Sequence, residues 1–119
     1  MSMAIAEHKT MTRQLLEELW STGDLALVDE LFTADFVHHS MPDGLPPGPA
    51  GQRQFIPMIR ARVPGLRIQI DDLIAEGDRV AARWTGTYTT EAGEERSYRG
   101  VDVLRFEDGK IAELWSFVP

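Results

Sequence analysis

The sequence predicts an α+β domain: helices first, then an antiparallel sheet, with the helices gathered on one face of that sheet. Three observations carry the prediction. Apolar residues recur at helical spacing through the first half of the chain. From Leu66 the pattern changes to alternation, apolar then polar. Short Gly-containing turns then interrupt it at Glu76-Gly77-Asp78, Glu91-Ala92-Gly93-Glu94 and Asp108-Gly109, and turns that short force neighbouring strands to run antiparallel. At 119 residues the chain is expected to form one domain, 1–119, large enough to bury a core.

The first helix is read from Met11, Leu15 and Leu19 at i, i+4, i+8, with Leu16 and Trp20 beside them. Glu7, Lys9, Arg13, Glu17 and Glu18 fill the opposite face, and Gly23 suits a C-terminal cap. Asp24 is placed as the N-cap of a short second helix with Leu27, Val28, Leu31 and Phe32 on its apolar side. Residues 35–39 are extended. The loop 40–51 that follows holds four Pro and three Gly, too many for helix or central strand, and its length suggests a rim or lid over a pocket. A third helix is expected over 51–63, kinked or restarted at Pro57. Four strands follow at 66–75, 79–90, 95–107 and 110–118.

Alternation then assigns faces. Val80, Ala82, Trp84, Gly86 and Tyr88 share the apolar face of their strand. On the next strand Leu104 and Phe106 belong inside, so Asp102 points inside with them. A buried carboxylate must find a partner or raise its pKa; it is either a satisfied structural acid or a working one. In the extended piece Val37 is taken as inward, which puts His39 on the inner face and His38 on the outer one. Adjacent strand residues face opposite ways, so this His pair is not read as a metal site. Trp20, Phe55, Met58 and Trp84 stand at core spacing and serve either as core or as pocket wall. Val101, Val103, Trp115 and Phe117 alternate onto the outer face, an apolar strip that predicts a homodimer through the sheet.

Bulk properties exclude several classes. The formal charge of −7 argues against nucleic acid and anionic membrane surfaces as partners. With no cysteine, disulfides, thiolate metal sites and a Cys nucleophile drop out. No apolar run reaches the ~20 residues of a membrane helix, and the first ten residues lack the pattern of a signal peptide. The expected location is therefore cytoplasmic.

Residues 73–87, Leu-Ile-Ala-Glu-Gly-Asp-Arg-Val-Ala-Ala-Arg-Trp-Thr-Gly-Thr, strongly resemble the SnoaL-like polyketide cyclases. So do residues 99–115, Arg-Gly-Val-Asp-Val-Leu-Arg-Phe-Glu-Asp-Gly-Lys-Ile-Ala-Glu-Leu-Trp, and the order Phe36-Val37-His38-His39, Pro-rich loop, Gly48-Pro49-Ala50-Gly51. The resemblance spans nearly the whole chain and extends to ketosteroid isomerases and limonene epoxide hydrolases. It implies a cone-shaped α+β barrel: three N-terminal helices packed in the concave face of a curved antiparallel sheet. The implied pocket takes a small apolar ligand, without cofactor or metal, and its wall would include Trp20, Phe55, Met58, Trp84, Tyr88, Leu104 and Ser116.

By the same resemblance, His39 takes the place of the isomerase's general base and Asp102 that of its oxyanion-binding carboxylic acid. The isomerase's tyrosine falls near Leu16, so that donor is missing. The cyclases' catalytic aspartate corresponds to Ser116, and their partner histidine to Asp102. The hydrolase's Arg and two Asp are not matched, since Trp84, Gly86 and Ser116 stand there. The implied function is acid/base chemistry next to a carbonyl, isomerisation or aldol-type cyclisation of a polyketide- or steroid-like substrate. The alternative is a non-catalytic binding or interaction module of the same fold, because this fold hosts many chemistries.

Overall fold

The computed structural model describes residues 3–119. A first helical rod is built from α1 (Met3–Arg13), a π-helical segment (Gln14–Leu19) and the last turn α2 (Trp20–Thr22). Leu15, Leu16 and Leu19 all reach the interior from the π-helical segment, in keeping with the apolar stripe read from sequence. π-helical segments are uncommon and concentrate at functional sites. Gly23, with φ 76°, ends the rod and donates its N–H to the Leu19 carbonyl at 2.8 Å, the left-handed cap that glycine favours.

A short helix α3 (Leu27–Leu31) follows. Asp24 does not cap it directly; its Oδ1 accepts the N–H of Ala26, the residue before the helix, at 3.2 Å. Helix α4 (Gly48–Arg62) starts three residues earlier than the sequence suggests, with Pro49 in its first turn, where the missing N–H costs nothing. Pro57 stays within the helix with its ring exposed. Arg60, on the last turn of α4, donates to the carbonyls of Trp20 (2.9 Å) and Ser21 (3.2 Å). It thereby closes the open end of the first rod, where carbonyls lack helical partners.

Five strands form one mixed, mostly antiparallel sheet in the order β1-β5-β4-β3-β2: β1 (Phe32–His38), β2 (Arg67–Glu76), β3 (Arg79–Thr89), β4 (Glu95–Glu107) and β5 (Lys110–Phe117). The last four are the antiparallel meander read from sequence. β1 adds a parallel edge to β5, a pairing that no local turn could announce. Asp108 and Gly109 both take positive φ (51° and 78°), the backbone that a two-residue hairpin needs. Register breaks at Ile70/Asp72 and Arg105/Phe106 bend the sheet. The first rod packs on β2 and β3 and α4 packs on β1. The core between them holds Leu15, Leu19, Ile56, Val80, Ala82, Leu104 and Ile111, each at most 1% exposed.

Candidate active site

Strand pairing brings the central residues together. Asp102 on β4 lies opposite Ala82 on β3 and Ser116 on β5, with its side chain on the concave face and 4% exposed. Trp84 on β3 is opposite Gly100, and its indole lies across that glycine to donate Nε1–H to Asp102 Oδ1 at 3.1 Å. A Cβ on Gly100 would fall 2.4 Å from Trp84 Cζ2, so the missing side chain makes this path possible. Gly86 does the same for Tyr98, whose ring would be 2.9 Å from an added Cβ. Tyr98 in turn meets Trp84 edge-on, with centroids 5.4 Å apart.

Ser116 donates its hydroxyl to the same Asp102 Oδ1 at 2.7 Å. Both donors therefore serve one carboxylate oxygen, and Oδ2 has no hydrogen-bond partner among the described residues. Burial raises the Asp102 pKa above the ordinary carboxylate value, and the Ser116 and Trp84 hydrogen bonds oppose that rise without overcoming it. The sequence-based placement of Asp102 on the inner face matches the structure.

The histidines are the other way round from the sequence reading. Phe36 is 2% exposed and Val37 46%, so Phe36, the larger apolar neighbour, takes the core position. Alternation then sends His38 inward and His39 outward. His38 Nδ1 accepts the Ser40 backbone N–H at 3.1 Å, so in the neutral ring the proton sits on Nε2. Desolvation first, then the neighbouring His39, lowers the His38 pKa to about 4; the ring is neutral at physiological pH. His39 lies on the convex face, stacked on Trp115 with centroids 4.6 Å apart, and its Nε2 is 2.7 Å from Glu113 Oε2. Arg105 Nε donates to the other Glu113 oxygen at 2.7 Å. His39, then Arg105, hold the Glu113 carboxyl below its usual range.

Asp102 and His38 line one cavity of about 340 Å3, whose wall includes Leu15, Leu16, Trp20, Phe55, Trp84 and Tyr98. That is the lower end of the ~300–1,000 Å3 typical of small-molecule sites. Of the wall residues expected from sequence, Trp20, Phe55, Trp84 and Ser116 line it. Leu104 does not; it is fully buried core outside the lining. Met58 is half-buried outside the lining. Tyr88 stands behind Tyr98, edge-on at 6.0 Å, and does not line it either.

Sequence reasoning missed His38, Ser40, Gln52 and Tyr98 as wall residues. Tyr98 was legible, since it shares the face of Asp102. Gln52 was not, because its burial depends on how α4 meets the loop. Of loop 40–51, Ser40 alone reaches this cavity; Met41, Leu45, Pro46 and Pro47 line an adjacent one of about 230 Å3 that shares His38 and Gln52. Among the described residues, no group of three His, Cys, Asp or Glu could hold a metal ion, and no helix is long and apolar enough to cross a membrane.

The chain is similar over 94% of its length, at 30% identity and a TM-score of 0.84, to a provisionally named polyketide cyclase from Bacillus cereus, of which it covers 74%. It is also similar to AclR, a provisionally named hydroxylase from Streptomyces galilaeus, at 28% identity and TM-score 0.80, covering 97% of this chain and 90% of that one. A provisionally named cyclase from Acidithiobacillus ferrooxidans, at 23% identity and TM-score 0.84, covers 99% of this chain and 91% of its own and shows the shared fold. No curated protein matches. The model of the SnoaL-like polyketide cyclases matches residues 10–118, and the chain belongs to that family.

Proposed function

We propose that the protein is a cofactor-independent enzyme that moves a proton next to a carbonyl, as in isomerisation or intramolecular aldol cyclisation of an apolar, polyketide- or steroid-like substrate. The observation that carries this reading is the Asp102 carboxyl: one oxygen held by two donors, the other unpartnered, in the wall of an apolar cavity. In this reading Asp102 Oδ2 takes the α-proton, because a desolvated carboxylate is a stronger base than one in water. His38 Nε2–H donates to the enolate oxygen that develops. A neutral imidazole suits that role, since its second nitrogen is already engaged by Ser40. Tyr98, whose pKa burial raises, keeps its phenol proton and supplies the hydroxyl that Leu16 cannot. The pairing expected from sequence, His39 as base and Asp102 as donor, is thus replaced by Asp102 as base and His38 as donor.

The test follows exchange of the α-protons of 2-tetralone, a two-ring ketone, in deuterated buffer by proton NMR. Wild type should accelerate the exchange. Asp102→Asn keeps both hydrogen bonds to Oδ1 but has no basic oxygen, so it should lose about 10²–10⁴-fold, the usual worth of a positioned base. An Asp102→Asn variant with wild-type exchange, alongside an inactive Asp102→Ala, would instead make Asp102 the donor. Binding of 2-tetralone without any exchange in wild type would favour the binding-module reading.

We further propose that two copies pair through the convex face of the sheet. Val101 (37% exposed) and Phe117 (60%) are cross-strand partners there, next to the Val103–Trp115 pair. An apolar strip of this kind supports an isologous interface.

A further inference from the structure

β1 ends at His38, and the last ladder bond to β5 comes from the His39 N–H to the Leu114 carbonyl at 2.8 Å. Two residues on, Ser116 faces the same edge with no β1 residue left to pair with its backbone. One side chain fills both vacancies: Ser40 Oγ donates to the Ser116 carbonyl at 2.9 Å and accepts the Ser116 N–H at 3.0 Å. The Ser116 hydroxyl in turn reaches Asp102 Oδ1 at 2.7 Å. On its other side, the Ser40 backbone N–H ends on His38 Nδ1 at 3.1 Å. Ser40 itself is exposed, so its hydrogen bonds rather than its packing define what it does.

We propose that Ser40 is the positioning residue of this site, holding the His38 tautomer through its backbone and the Ser116 donor to Asp102 through its hydroxyl. The inference rests on His38 and Asp102 being the working pair. His38 and Asp102 are thus linked through the two serines, by the Ser40 backbone N–H on one side, the Ser40 hydroxyl on the Ser116 backbone in the middle, and the Ser116 hydroxyl on the other. With Nδ1 occupied, the His38 proton is confined to Nε2, the nitrogen left to a ligand. With Oδ1 occupied by Ser116 and Trp84, only Oδ2 of Asp102 can gain or lose a proton in the cavity. When the hydroxyl of Ser40 is lost, the Ser116 peptide and the start of the loop are freed together, so both settings loosen at once.

Imidazole nitrogen-15 and Asp carboxyl carbon-13 NMR on the full chain test this without need of a substrate. In wild type, His38 should show a single Nε2–H tautomer near neutral pH. Ser40→Ala should give a tautomer mixture and move the Asp102 titration to higher pH, because the donor that lowers it is no longer held. Ser40→Thr, which keeps the hydroxyl, should restore both signals. Ser116→Ala should move Asp102 alone. If Ser40→Ala lowers the melting temperature but leaves both signals as in wild type, Ser40 is only a staple and the proposal is overturned. It is equally overturned if Ser40→Thr behaves as Ser40→Ala. A wild type that shows these signals yet exchanges no 2-tetralone protons removes the proposed reaction and leaves the positioning role standing.

Discussion

Gly100→Ala places one methyl group where the Trp84 indole now lies. The added Cβ would sit 2.4, 2.8 and 3.0 Å from Cζ2, Cε2 and Cη2 of Trp84, so the ring has to move by about 1 Å to reach ordinary contact distance. Overpacking of this kind costs about 1–3 kcal/mol. The displaced indole also gives up its 3.1 Å hydrogen bond to buried Asp102, and a lost bond to a charged group costs about 1.5–3 kcal/mol. Replacing glycine in a strand returns about 0.5–1 kcal/mol of backbone entropy. The net loss is about 2–5 kcal/mol, a large share of the ~5–15 kcal/mol that holds a domain together. Urea unfolding followed by far-UV circular dichroism gives the value. The same substitution in a Trp84→Leu background, where no indole is present to collide, should cost much less, and the difference isolates the coupling. A loss below about 0.5 kcal/mol in the wild-type background, or an equal loss in both, would mean that the indole is not held over Gly100 in this way.

Stability should respond to pH through Asp102 and His38 with opposite signs. The folded Asp102 carboxyl has a raised pKa, so the stability its protonation confers is complete below the unfolded value and lost as pH rises through the folded one; Asp102→Asn should melt progressively higher than wild type as pH rises above about 4, and a gap constant with pH would contradict this. His38, lowered to about 4, contributes stability that is present above its unfolded 6.5 and falls away with acidification toward 4, so His38→Gln should flatten that acid-side decline and the exchange rate should show no histidine limb near 6.5. Phe117→Asp, placed in the exposed convex strip, should convert a dimer to a monomer in sedimentation velocity without lowering 2-tetralone exchange; an unchanged sedimentation coefficient would remove the proposed interface.

The sheet was legible because its strands are joined by short turns and each carries an unambiguous apolar face. Leu104 and Phe106 fixed the phase of β4 and thereby placed Asp102 in the interior, as found. β1 offered no such anchor. Read over residues 35–39, it held only the adjacent apolar Phe36 and Val37 to set its phase; the strand begins at Phe32, which the sequence reading left on the second helix, and the Phe32 and Phe36 rings, 4.2 Å apart, share the buried side. That phase exchanges the roles of His38 and His39. The π turn had no sequence signal either, because it is set by backbone hydrogen bonding rather than residue spacing; the inward side of Leu15 and Leu16, which line the cavity, was legible from the stripe. Leu104 and Tyr88 shared the right face but stood at the wrong depth, which alternation does not encode. Ser40 and Gln52 belong to the site through tertiary geometry alone.

The proposed chemistry requires Asp102 to be an open, desolvated carboxyl in a ligand cavity. Carbon-13 titration of the Asp102 carboxyl, with and without 2-naphthol as an enolate mimic, tests it most directly. The midpoint should lie above the ordinary carboxylate range in the free protein, and resonance and midpoint should both be displaced once 2-naphthol is bound. A midpoint at the ordinary value of about 3.9, unmoved by 2-naphthol, would contradict it.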